Sequence, residues 1–148
     1  MAFQYRLESL LRLQRGLEHQ EENRLLARVA AITALRTRLR EWEQARLNRK
    51  AAICAGGEVS VSAAVLHLAM EWDRAAAEQQ SALSKQLAAA ERARLQQLQV
   101  YREARQKREV LESLREQQQS EYLVDELRQI QQNLDEAFLI HKFHTENG

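Results

Sequence analysis

The chain has 148 residues, room for one domain. Only 5% of it is aromatic, 29% is charged, and there is no proline, which excludes a broad two-layer core and points to long helices around a narrow seam. The net charge of +1 hides an asymmetry: Met1–Ala55 carries 11 basic and 6 acidic residues, whereas Glu112–Gly148 carries 3 basic and 8 acidic.

The start of the chain has Arg6, Glu8 and Arg12 where a secretory signal needs an apolar run. The longest uncharged run, Val59 to Met70, is too short to span a bilayer. A single cysteine, Cys54, fits a reducing compartment better than a disulfide scaffold. The expectation is a soluble, cytoplasmic, all-α chain.

The first helix is expected over about residues 3–53. Its apolar stripe starts with Phe3, Leu7, Leu10 and Leu17 and resumes with Leu25, Ile32, Leu35, Leu39 and Trp42. This alternating three-and-four spacing marks a helix buried along one side. The stripe slips around Glu18–Arg24. Gln14, Glu21, Arg46 and Arg49 fall on or near it, and their long stems can cover a seam while the heads reach water.

A turn is expected over 54–60, in the stretch CAGGEVSVS. Gly56 or Gly57 can take the left-handed conformation that ends a helix, and Ser60 or Ser62 can cap the next one. Cys54 is expected to be buried or half-buried there. The second helix follows over about 61–142. Its stripe includes Val65, Leu68, Trp72, Leu83, Leu87, Leu98, Val100, Tyr101, Leu111 and Leu114, and alanines between Ala75 and Ala93 allow close helix approach.

Folding the chain at Gly56–Gly57 brings apolar positions together. Trp42 meets Trp72, Ile32 meets Leu83, Leu25 meets Leu87, and Phe3 meets Val110–Leu111. The fold class is therefore an antiparallel coiled-coil hairpin of two long helices. The paired part is about 75 Å long, and the second helix continues for roughly 45 Å past it, over about 112–142. In that overhang Leu123, Leu127, Ile130, Leu134 and Phe138 form an apolar stripe without an intramolecular partner, beside the acidic residues Glu121, Asp125, Glu126, Asp135 and Glu136. An unpartnered stripe of this kind marks a binding surface. The alternatives are pairing with a second copy and a folded-back tail.

Four segments carry a resemblance to a known family. They are the opening FQYRLESLLRLQRGLEHQEE, the glycine turn near one third of the chain followed by a serine-bearing helix, REVLESLREQQQSEY at Arg108–Tyr122, and LDEAF at Leu134–Phe138. In these the chain resembles the flagellar export protein FliJ family over nearly its whole length. The resemblance implies a non-enzymatic, cytoplasmic part of the flagellar type III export apparatus. It implies a coiled-coil stalk in the hexameric export ATPase, contact with the export gate protein FlhA, and escort of export chaperones. Such a stalk is expected to be mostly monomeric alone and to reach the membrane only through its partners.

On that resemblance, Tyr122, Leu123, Leu127, Ile130, Leu134, Asp135, Glu136 and Phe138 are the candidate residues for the ATPase ring. The acidic charge would suit basic loops. Leu39, Trp42, Leu68 and Trp72, near the turn, are the candidates for the gate, since tryptophan is enriched at interface hot spots. The competing reading packs the two tryptophans on each other in the seam.

Other chemistry finds little support. His141 and His144 are three apart, but no further Cys or His stands near them to complete a zinc site. AGGEVS lacks the lysine and hydroxyl of a phosphate loop, and Glu21–Glu22 has no concave pocket to make it an acid–base pair. No catalytic residue, cofactor or metal is expected. Arg36, Arg38, Arg40, Arg46, Arg49 and Lys50 could grip a phosphate backbone, yet Glu41 and Glu43 interrupt the run and no aromatic platform accompanies it. A homodimeric structural spacer remains as the alternative architecture.

Overall fold

The computed structural model describes residues 2–56 and 62–148. Two helices make up nearly all of them, α1 (Glu8–Ala55) and α2 (Ala63–Glu146), and no strand occurs among the described residues. The fold is all-α, with α1 and the longer α2 running antiparallel. Each helix passes through two compact units, one formed by residues 2–18 with 103–148 and the other by 19–102.

The start of α1 differs from expectation. The helix begins at Glu8 instead of about residue 3. Its first turn closes with the Glu8 amide donating to the Tyr5 carbonyl at 3.1 Å and the Leu11 amide to the Leu7 carbonyl at 2.9 Å. Residues 2–5 stay non-helical because two aromatic side chains hold them against α2. Tyr5 is buried and its hydroxyl donates to the Leu111 carbonyl at 3.0 Å, while the Phe3 and Tyr122 ring centres lie 5.6 Å apart. Non-helical chain advances further per residue than the 1.5 Å of a helix. Phe3 therefore reaches Tyr122, well past the expected Val110–Leu111, and the uncovered part of α2 begins after Tyr122 instead of near Glu112.

At the other end of α1 the Gly56 φ is not left-handed, so no left-handed cap forms on that residue. Gly57 and Ser60 lie outside the described residues. Ser62 is the N-cap of α2: its Oγ accepts the Val65 amide at 3.3 Å and its carbonyl accepts the Val65 and Leu66 amides at 3.1 and 3.2 Å. Cys54, expected to be at least half-buried, is exposed in the last turn of α1. Helix bounds of Ala55 and Ala63 put the midpoint of the connection beyond Gly57, which shifts the register. Folding at Gly56–Gly57 sets Glu21 opposite Arg92, but Glu21 accepts hydrogen bonds from Gln97 through its carbonyl, at 3.2 Å, and its carboxylate.

The seam has a strict heptad. On α1 the residues withdrawn from solvent include Leu11, Glu18, Leu25, Ile32, Leu39 and Arg46, each seven after the last, and between them Gln14, Glu21, Leu35 and Trp42. The apparent slip around Glu18–Arg24 is thus no slip at all. The Leu11–Arg46 line runs through that segment, with glutamates at two seam positions, the other line lapses only at exposed Arg28, and Leu11 is the fully buried residue where the expected stripe placed Leu10. On α2 one line runs Ala69, Ala76, Leu83, Ala90, Gln97, Ala104 and Leu111. A second runs Asp73, Gln80, Leu87, Arg94, Tyr101, Arg108, Arg115 and Tyr122.

Polar side chains at seam positions require partners, since an unpaired buried polar group costs about 1–3 kcal/mol. Most find them, on the facing helix or one turn away on their own. In the unit of residues 19–102, the Arg46 guanidinium donates to both Asp73 carboxylate oxygens at 2.9 and 3.0 Å and also to Gln80, and Arg36 reaches Glu91 at 2.9 Å. In the unit of residues 2–18 with 103–148, Arg108 bonds Glu18 and Glu112 and Arg15 bonds Glu112 at 3.0 Å, whereas Arg115 lies 3.5 Å from Glu8 with its buried Nε making no hydrogen bond. The apolar core between these pairs is small: Tyr5 and Leu11 in the one unit, and Ile32, Ala76 and Leu83 in the other.

Candidate functional site

Beyond Tyr122 α2 continues to Glu146 with no glycine or proline before Gly148. Leucine, glutamine and glutamate, all good helix formers, are the segment's commonest residues. Pairs one turn apart support it from within: Gln131 to Asp135 and Lys142 to Glu146 at 3.1 and 3.9 Å. Each such pair contributes a few tenths of a kcal/mol.

The apolar stripe expected here is present and open to solvent. Leu123 and Ile130 are about half exposed, and Leu127, Leu134 and Phe138 are 66%, 61% and 68% exposed. Its position round the helix is the informative feature. At 3.6 residues per turn the stripe lies about 120° away from the line of Leu111, Arg115 and Tyr122 that faces the N-terminal segment. The seam ends at Tyr122 and the stripe starts one residue later on another side. Continued by heptads past Tyr122, the seam meets Asp125, Gln129, Gln132 and Glu136. So a longer α1 would have found polar residues, and the apolar side is left for something else.

The eight candidates for the ring therefore do not form one surface. Leu123, Leu127, Ile130, Leu134 and Phe138 share a side, with Asp135 on its border. Tyr122 belongs to the seam, against Phe3. Glu136 lies round the helix from the stripe. Four exposed apolar residues were missed: Val124, Leu139, Ile140 and Phe143. With Phe138 the last three make the final turns apolar on several sides, and the run AFLIHKF held that signal.

In the unit of residues 19–102, Trp42 and Trp72 meet as expected, ring centres 6.4 Å apart and planes at 39°. Both are half-buried, as is Leu39, so the mutual packing of the competing reading is present and part of each ring still faces solvent. Leu68 is 65% exposed. The Arg49 guanidinium sits 4.3 Å from the Trp72 ring centre, an arrangement in which the cation meets the negative ring face. Beside it opens a cleft of about 330 Å³ with Ile53, Leu66, Ala69 and Met70 among its walls and Arg49, Lys50 and Arg74 at its edges. Spacing alone could not have shown that these cations gather round an apolar floor.

Two carboxyl groups are displaced. The hydrogen bond from Arg46 holds the Asp73 carboxyl below its ordinary value. Partial burial works to raise the Glu112 carboxyl, but the bonds and charges of Arg15 and Arg108 outweigh it and hold that group low as well. Both are structural carboxylates kept ionised by arginine. None of the described helices is long and apolar enough to cross a membrane.

Compared with known families, residues 3–148 match the model of the flagellar FliJ protein. No curated protein and no solved structure matches. The match takes in both helices, the aromatic N-terminal segment and the open stripe, and on it the chain belongs to the flagellar FliJ protein family, whose members are components of the flagellar export apparatus.

Proposed function

We propose that the chain is the central stalk of the flagellar export ATPase ring and links that ring to the export gate protein FlhA and to export chaperones, in the cytoplasm and without chemistry of its own. The observation that supports this best is the open stripe of Leu123, Leu127, Ile130, Leu134 and Phe138 on a helix end that nothing within the described chain covers. Such a helix alone is marginally stable in water, and a ring that encloses it would bury the stripe together with Leu139, Ile140 and Phe143. The flanking carboxylates suit basic loops and predict salt-sensitive association. The exposed parts of Trp42 and Trp72, with Leu39 and Leu68, are the proposed gate contact.

The test follows hexamer formation and ATP hydrolysis by the export ATPase with the full chain and with a chain ending at Tyr122, which retains the Phe3 and Tyr5 contacts. Stimulation by the full chain alone supports the reading. If neither chain affects the ATPase, the stalk role is wrong, and a homodimeric spacer takes its place.

A further inference from the structure

The two units carry opposite charge. Residues 19–102 hold 13 basic and 9 acidic side chains, and the remainder of the chain holds 9 basic and 12 acidic. Each imbalance borders exposed apolar residues. Past Tyr122 the α2 stripe is flanked by Glu126 on one edge and Asp135 on the other, and Arg128 and Lys142 are the only lysine or arginine cations of that segment, each within 4 Å of a carboxylate of its own helix. Two such stripes laid against each other would therefore bring carboxylates together, which disfavours pairing of like ends.

The cleft beside Trp72 has the opposite character. Ile53, Leu66 and Met70 give it an apolar floor. Arg46 is neutralised by Asp73. Arg49, Lys50 and Arg74 have no carboxylate in salt-bridge range among the described residues, and the three stand together at its edge. An apolar stripe edged by acids meets here an apolar floor edged by bases.

We propose that these surfaces bind each other between copies of the chain, the acidic end of α2 in one copy seating its stripe on the cleft beside Trp72 in a second. The contact is heterologous: every copy offers both halves, so copies add head to tail instead of closing as a two-fold dimer. It is weak and salt-labile, because its charged edges are solvent-exposed. It withdraws the stripe from water and occupies it against any other partner. This inference stands on charge and apolar exposure alone and does not depend on the ring or gate reading.

Sedimentation velocity on the full chain tests it, across about a hundredfold range of concentration so that mass action is visible. In low salt the mean sedimentation coefficient rises with concentration. At roughly 1 M salt, where the screening length is about 3 Å, apparent affinity falls at least tenfold. A cleft variant, Lys50→Glu with Arg74→Glu, and a stripe-edge variant, Glu126→Lys with Asp135→Lys, each lose association alone. Mixed together they regain it, which shows that both are folded. A monomer at every concentration in low salt overturns the proposal. So does a cleft variant that associates like the parent, which would mean like ends pair, and so does a mixture that stays monomeric.

Discussion

At the scale of single residues, the narrow seam makes a few side chains carry much of the fold. Leu11 is fully buried, and burying a leucine contributes about 1.5–3 kcal/mol. Leu11→Ala should lower stability by roughly 2–3 kcal/mol, the low end of the range for core leucines, because a two-helix seam collapses easily round a missing side chain. Tyr5→Phe keeps the ring and removes the bond to the Leu111 carbonyl, so a loss of about 0.5–1.5 kcal/mol is expected. Thermal or urea unfolding of both variants measures these. Asp73 and Glu112 make the fold sensitive to acid. Their folded values are depressed by Arg46 and by Arg15 and Arg108. The stabilisation from each pair is therefore complete above the ordinary carboxylate value, near pH 4, and fades as pH falls through the lower folded value. Asp73→Asn should be less stable than the parent at neutral pH, and the difference should shrink in acid. A gap that stays constant with pH would show that the Arg46 bond does not depend on charge.

At the scale of elements, the heptad explains what the sequence discloses and what it conceals. The apolar members, Leu25, Ile32, Leu35, Leu39 and Trp42, are legible by spacing, and they give the helix type and the antiparallel pairing. Glu18, Glu21 and Arg46 occupy equivalent positions and conceal the repeat, because a charged residue reads as surface until its partner on the other helix is known. The start of α1 was concealed for another reason. Phe3 and Leu7 fit a helical stripe, but the Tyr5 contact with Leu111 holds the first residues out of the helix, and local propensity carries no trace of a partner so distant in sequence. The seam polar group is also open to test. Arg108→Leu alone leaves Glu18 without its cation and should destabilise. Arg108→Leu with Glu18→Leu replaces a half-buried ion pair by apolar contact and should be neutral or more stable, by up to about 4 kcal/mol. Unfolding midpoints of the two variants decide this, and a double variant weaker than the single one would show that the pair is worth more than its desolvation.

At the scale of the whole molecule, α2 divides its labour round its circumference and along its length. Up to Tyr122 its apolar side is spent on α1 and the N-terminal segment, and from Leu123 its apolar side turns about 120° away. That rotation was present in the sequence, since Leu123 follows Tyr122 by one residue where the heptad calls for Asp125 or Gln129. It became visible only when Phe3 and Tyr5 showed which side of α2 was already taken. Stability and partner binding should therefore separate cleanly. Leu127→Gln with Leu134→Gln alters residues that are more than half exposed and bury nothing within the chain. Surface changes of that kind stay within about 0.5 kcal/mol, so the unfolding transition should match that of the parent. The same two changes remove two large apolar groups from the only stripe past Tyr122 with heptad-like spacing. If that stripe is the ring contact, stimulation of the export ATPase is lost while the unfolding curve does not move. Leu11→Ala should do the reverse, lowering the midpoint and leaving stimulation intact at temperatures where the chain is folded. A stripe variant that unfolds early would mean that residues past Tyr122 are already packed within the chain, and the free-surface argument would fail at its first step.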